Sequence, residues 1–205
     1  MPGPVLRDEE WQKCLDELGS TEPGLDYIVA SGSLPSGVPL DFYARVARIG
    51  KEKGIKVIVD APSANLNLAL REGVYLIKPN IREFKELFNG EIKEEPQIKE
   101  KACELVKTRQ SEIVVVSLGA AGVIAAFDET VEHIVPPTVP VISKVGAGDS
   151  MVAGIVLSLA KGMPVPNAIR FGVAAGTAAV MTPGTELCRR EDAQRLYKEM
   201  YSVSA

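Results

Sequence analysis

The chain has 205 residues, 46% of them hydrophobic and 24% charged, with a net charge of −4, the ordinary make-up of a globular protein with one sizeable core. The acidic balance argues against wholesale binding of nucleic acid or an anionic membrane, while leaving room for a local basic pocket that holds a small phosphate. No apolar run reaches the roughly 18 residues of a membrane span, Met-Pro-Gly-Pro at the start lacks a signal-peptide pattern, and a cytoplasmic location is expected.

In chain order, Asp8 to Leu18 has helical spacing, with Trp11, Leu15 and Leu18 on one face. A strand over Tyr27–Ala30 runs out into Ser31-Gly32-Ser33-Leu34-Pro35. A helix is expected from Val38 to Lys53, stopped at Gly54, and then a buried strand, Lys56–Asp60, closed by an acid. A helix over Ala64–Arg71 and a strand over Val74–Ile77 lead into Lys78-Pro79-Asn80. Helices follow at about Ile81–Phe88 and Pro96–Arg109. Ile113–Ser117 is the most strand-like segment, and its outlet is Leu118-Gly119-Ala120-Ala121-Gly122. Val123–Phe127 and Val131–Val135 read as an antiparallel pair. The remainder is helical: Ser150–Lys161, Pro166–Met181 and Arg190–Tyr201.

Strands alternating with helices predict one α/β domain over residues 1–205, with a mainly parallel sheet covered on both faces. Ligands in such folds gather beyond the carboxyl ends of the strands. Ser31 to Pro35, Asp60, Lys78 to Asn80 and Ser117 to Gly122 all follow strands and are expected on one rim. The three cysteines, Cys14, Cys103 and Cys188, suggest neither a disulfide framework nor a zinc site and read as buried thiols. His133, the only histidine, lies in an alternating Val-Glu-His-Ile-Val run and reads as a solvent-facing strand residue.

The densest chemical signal is Val-Gly-Ala-Gly-Asp-Ser-Met-Val-Ala-Gly from Val145 to Gly154. Gly146, Ala147 and Gly148 leave the backbone unshielded before a helix-length apolar run. A helix start carries unpaired N–H groups and about half a positive charge, so phosphate oxygens bind there when no side chain blocks them. Phosphoryl transfer needs positioning, charge neutralisation and a base for the attacking hydroxyl. Asp149 is the candidate base, against the plainer reading of a first-turn acid that complements the helix dipole. In Lys78-Pro79-Asn80-Ile81-Arg82-Glu83, Pro79 holds Lys78 extended. Asn80 with Glu83 three residues on is either a capping box or a phosphate and magnesium site in which Glu83 acts through water. Neither a Gly-x4-Gly-Lys-Ser/Thr loop nor a dinucleotide fingerprint in the right context is present.

These motifs resemble the ribokinase-like (PfkB) family of ATP-dependent carbohydrate kinases. Gly146-Ala147-Gly148-Asp149 is similar to its C-terminal signature, Asn80-Ile81-Arg82-Glu83 to its Asn-x-x-Glu magnesium motif, and Ser117-Leu118-Gly119 to its nucleotide-phosphate loop. Ser31 to Pro35 and Arg170 to Gly176 point to the branch that acts on sugar phosphates. The resemblance implies a three-layer α/β/α fold and transfer of the γ-phosphoryl group of ATP to a phosphorylated ketohexose, with fructose 6-phosphate ahead of fructose 1-phosphate and tagatose 6-phosphate. It implies that Asp149 is the base and that Gly146, Ala147 and Gly148 form the anion hole. Lys78, Asn80, Ser117, Leu118, Gly119, Ala120, Ala121, Gly122 and Thr177 would line the ATP site, and Ser33 would touch the sugar phosphate. Magnesium would lie at Asn80 and Glu83, and a monovalent cation, K+, at loops matching Ser143, Val145, Ala179, Thr182 and Gly184. Lys144 departs from the small residue usual there.

Family members carry a first third, with a Gly-Gly-x-x-x-Asn signature, early strands and a lid that often forms a homodimer interface, to which nothing in this sequence corresponds. The resemblance therefore also allows a nucleotide-binding fragment without turnover, with an exposed apolar patch where the lid and early strands would pack.

Overall fold

The computed structural model describes residues 3–22 and 24–202. Residues 1, 2, 23 and 203–205 of the 1–205 expectation, among them the first two of Met-Pro-Gly-Pro, lie outside the described residues. The chain divides into two compact units, Met1–Val116 with Ala126–Val131, and Ser117–Ala125 with Glu132–Ala205.

The first unit holds α1 (Asp8–Ser20), β1 (Tyr27–Ser31), α2 (Phe42–Lys53), β2 (Lys56–Asp60), α3 (Ser63–Glu72), β3 (Val74–Ile77), α4 (Ile81–Leu87), α5 (Glu95–Lys107) and nearly all of β4 (Ser111–Ser117). Its neighbouring strands β1/β2, β2/β3 and β3/β4 all pair in parallel. Parallel strands with both faces covered need continuous apolar sequence. Accordingly Val57, Ile58 and Val59 of β2 and all four residues of β3 are buried. On α1 Leu15 is buried and Trp11 and Leu18 half-buried, as their shared face requires. Gly54 stops α2 in a left-handed conformation (φ 68°), its amide turning back to the carbonyls of Gly50 and Lys51.

The second unit contains α6 (Ala147–Ala160), α7 (Val165–Ala179) and α8 (Arg190–Ser202), with most of β5 (Val123–Phe127) and β6 (Thr130–Ile134). Only Asp128 and Glu129 separate β5 from β6, which are neighbours in the sheet. A two-residue link makes that pair antiparallel, because a parallel connection needs a crossover of a dozen residues or more. The sheet order is β1-β2-β3-β4-β5-β6.

Two expectations are corrected. The second helix begins at Phe42 rather than Val38. Pro39 disfavours the helical conformation at Val38, and the intervening turns are held by Val38 N–H to Pro35 O (3.2 Å) and by the buried Asn65 side chain, which donates to Leu40 O (3.0 Å). The cysteines are not buried: Cys14 is exposed, and Cys103 and Cys188 are intermediate. Cys14 sits on the flank of the narrow α1 stripe rather than on it. Among the described residues no helix is long and apolar enough to cross a membrane.

Candidate active site

In the first unit the strand register assembles a row of polar side chains. Ser31 pairs with Asp60, and Val59 pairs with Ile77, so one residue further on Asp60 lies opposite Lys78. The Lys78 Nζ stands 3.2 Å from Asp60 Oδ1, the two side chains only 6% and 14% exposed. The expected phosphate lysine is thus held by a carboxylate on the adjacent strand. Parallel register was the signal for this pairing, since both residues close neighbouring strands. The Ser33 side chain is exposed in the loop after β1.

Asn80 and Glu83 come together as the capping box. Asn80 Oδ1 accepts from the amides of Arg82 (2.9 Å) and Glu83 (3.0 Å), and Glu83 Oε2 accepts from the Asn80 amide (2.9 Å). The capping role is therefore real at both residues. Glu83 keeps a second oxygen that makes no hydrogen bond or ion pair to the described residues. Those residues contain no group of three or more His, Cys, Asp or Glu side chains placed to hold a metal. The donor set thus suits magnesium arriving with nucleotide phosphates and its own waters, rather than a protein-built cage.

In the second unit the Ser117–Gly122 loop is tightly folded. Leu118 N–H donates to Gly122 O (2.8 Å) and Gly122 N–H to Gly119 O (3.1 Å). Gly122 has φ 86°, and a Cβ there would run into Ile134 O and within 2.9 Å of Pro136 Cδ, so no other residue fits. Gly119, Ala120 and Ala121 are exposed. His133 is solvent-facing, as its strand pattern predicts, and its Nε2 lies 2.8 Å from Ala121 O. Sequence gave no sign of that link to the loop. Thr177 donates to its own helix at Val173 O (2.7 Å).

Helix α6 starts three residues earlier than expected, which places Asp149 inside its first turn. Gly146 is the N-cap, left-handed at φ 77° and ψ 0°, and no side chain caps the helix. A Cβ on Gly146 would meet nothing within 4 Å. The first α6 amide with a backbone partner is Ser150's, to Gly146 O (2.8 Å). Among the described residues the amides of Ala147, Gly148 and Asp149 therefore have no partner, a donor cluster at the positive end of a 14-residue helix. Asp149 is exposed, and its carboxylate has no hydrogen bond or ion pair among the described residues. This arrangement fits an incoming phosphoryl group.

The helix start is braced from behind by α7. A Cβ on Gly176 would come within 2.9 Å of Ala147 O, and one on Gly154 within 3.0 Å of Gly172 Cα. The loops expected to hold a monovalent cation also meet. Ser143 Oγ donates to Gly184 O (2.8 Å) and accepts from the Val145 amide (3.2 Å). Buried Thr182 bonds Ala179 O (2.8 Å) and Glu186 O (3.0 Å). The Gly184 and Glu186 carbonyls each accept one of these donors and keep a second lone pair, whereas Ala179 O also accepts the Thr182 amide (3.2 Å).

Comparison with known proteins gives a consistent result. The family model described as pfkB family carbohydrate kinase matches residues 9–192. The chain is 38% identical over 198 residues to the ATP-dependent 6-phosphofructokinase isozyme 2 of Mycobacterium tuberculosis strain H37Rv, covering 97% of this chain and 58% of that protein. It is 32% identical over 198 residues to the 1-phosphofructokinase of Bacillus subtilis strain 168, covering 97% and 64%. The crystal structure of phosphofructokinase-2 from Escherichia coli in complex with potassium superposes with a TM-score of 0.93 at 38% identity, over 98% of this chain and 65% of that one. The fold is therefore the three-layer ribokinase-like α/β arrangement. The chain spans 58% and 64% of the length of these two curated relatives.

Proposed function

Because the chain belongs to the pfkB family of carbohydrate kinases, we propose that it serves the transfer of the γ-phosphoryl group of ATP to a hydroxyl of a phosphorylated ketohexose, fructose 6-phosphate first. The observation that carries this reading is the start of α6, where three open amides and the αL Gly146 lie beside an exposed, unpaired Asp149.

In the proposed reaction an Asp149 oxygen takes the proton of the acceptor hydroxyl as that oxygen forms its bond to the γ-phosphorus. The bond from the γ-phosphorus to the β–γ bridging oxygen breaks, and ADP leaves with the electron pair. The amides of Ala147 and Gly148 hold the equatorial oxygens as charge develops. Lys78 and Asn80 in the first unit, and Ser117–Gly122 with Thr177 in the second, are assigned to the nucleotide, and Ser33 to the acceptor's phosphate. Magnesium, when bound, would spread the phosphate charge, with Glu83 reaching it through water. The 143–145 and 179–184 loops are assigned a monovalent cation through backbone carbonyls, and pairing into a homodimer is assigned to a full-length protein that carries the lid.

The relatives' names divide between 6-phosphofructokinase and 1-phosphofructokinase, so the acceptor is the finer part of the proposal. Coupled ADP release with fructose 6-phosphate, fructose 1-phosphate and tagatose 6-phosphate tests it. The largest kcat/KM is expected for fructose 6-phosphate, and a preference for either of the others would replace it.

A further inference from the structure

The loop that carries Ser33 is fixed by a residue of α2 that no motif contains. Tyr43, only 6% exposed, points its hydroxyl at two carbonyls, Ser31 O at 3.2 Å and Gly32 O at 3.0 Å, which share its single proton. On the other side Gly32 N–H donates to Asp60 O at 2.9 Å. Both peptide units flanking Gly32 are therefore tied down. Gly32 itself sits at φ 97°, a conformation that side-chain-bearing residues rarely adopt, and a Cβ there would meet nothing within 4 Å.

The consequence follows from the trans peptide. The carbonyl and the next N–H of one peptide point in opposite directions. With Gly32 C=O turned inward to Tyr43, the Ser33 N–H is turned outward to the rim. Among the described residues neither the Ser33 nor the Leu34 amide donates to the protein, and the Ser33 side chain is exposed. The loop thus presents unsatisfied donors, a geometry suited to an anion.

We propose that Tyr43 is a positioning residue for the phosphorylated acceptor: by holding the Ser31 and Gly32 carbonyls inward it aims the Ser33 donors at the acceptor's phosphate. This rests on the sugar-phosphate reading above. Burial, and then the nearby Asp60 charge, push the Tyr43 phenol above its ordinary range, so it remains a donor across the working pH range. The link to Lys78 is short: Asp60 holds Gly32 with its backbone and Lys78 with its carboxylate.

The test compares Tyr43→Phe, which removes the hydroxyl and keeps the ring, with Tyr27→Phe at the opposite end of β1. In coupled ADP release Tyr43→Phe is expected to raise KM for the sugar phosphate about tenfold, the scale of one lost hydrogen-bonding arrangement. Its kcat and its KM for ATP stay within about twofold, and Tyr27→Phe matches the parent throughout. An unchanged KM for the sugar phosphate, or an equal loss toward ATP, overturns the proposal. Hydrogen exchange at the Gly32 amide reads the same device without turnover, and faster exchange is expected in Tyr43→Phe alone. If the parent chain phosphorylates no sugar phosphate, the reaction fails while the exchange result still judges Tyr43. Unaltered exchange removes Tyr43 from its role whatever the parent chain does.

Discussion

Lys78 Nζ and Asp60 Oδ1 lie 3.2 Å apart at the ends of neighbouring parallel strands, with both side chains largely withdrawn from water. Removing one member of such a pair strands the other, at a cost of about 3–5 kcal/mol. Asp60→Asn is therefore expected to lower stability by about 3 kcal/mol in denaturant titration, and Asp60→Asn combined with Lys78→Met to recover part of the loss. Lys78→Met alone should weaken ATP binding about tenfold or more in calorimetry. Unaltered ATP affinity would make the lysine purely structural.

Asn80 and Glu83 carry a capping box and an assigned magnesium role at once, and one substitution separates them. Gln at the third helical position completes a capping box as Glu does. Glu83→Gln is thus expected to keep stability within about 0.5 kcal/mol while raising the magnesium concentration needed for half-maximal ADP release several-fold. Equal magnesium curves would leave only the cap.

Gly176 touches the candidate anion site through backbone rather than through a flexible side chain. Its added Cβ would sit 2.9 Å from Ala147 O and 3.3 Å from Met151 Cβ, so Gly176→Ala must displace the first turn of α6. Overpacking of this kind costs about 1–3 kcal/mol, and turnover is expected to fall more steeply than stability. Gly19→Ala on α1, where a Cβ meets nothing within 4 Å, should leave turnover unchanged. Full activity in Gly176→Ala would show that the helix start tolerates movement.

Tyr75, 7% exposed on β3, has its phenol pushed up to about 12 by burial first and by neighbouring Tyr27, Glu112 and Asp128 after it. An unfolded tyrosine ionises near 10. The folded state thus favours the neutral phenol, and the stability this contributes is fully present below about pH 10 and lost as pH rises towards 12, by about 2 kcal/mol at most. Denaturant midpoints measured from pH 9 to 12 should fall in the parent chain and fall less in Tyr75→Phe. Parallel curves would place the alkaline loss elsewhere.

What could be read from sequence was whatever depends on neighbours along the chain. The β2 and β3 limits, Lys56–Asp60 and Val74–Ile77, follow from unbroken apolar runs bounded by turn residues, and they match the structure residue for residue. The Asn80 cap is a three-residue pattern and was visible as such. Pro39, which disfavours helix at Val38, was a local sign of the later α2 start, while the support from Asn65, 25 residues from Leu40 in sequence, was not legible. The start of α6 was missed because small residues on α7 let Ala147 and Gly148 join the helix behind the Gly146 cap, where glycine disfavours helix locally. Partners that meet only through tertiary structure left no local trace: Tyr43 with the Gly32 peptide, His133 with Ala121.

Asp149, at the open start of α6, is the proposed base of a phosphoryl transfer. The most direct test of that role is coupled ADP release with ATP, magnesium and fructose 6-phosphate, comparing the parent chain with Asp149→Asn and measuring ATP binding to both by calorimetry. Turnover is expected in the parent, with a loss of at least about a hundredfold in the variant, the lower end of what a positioned base supplies, and ATP affinities within about twofold. Equal turnover in the two, or ATP binding with no phosphorylation of any sugar phosphate by the parent, would contradict that role.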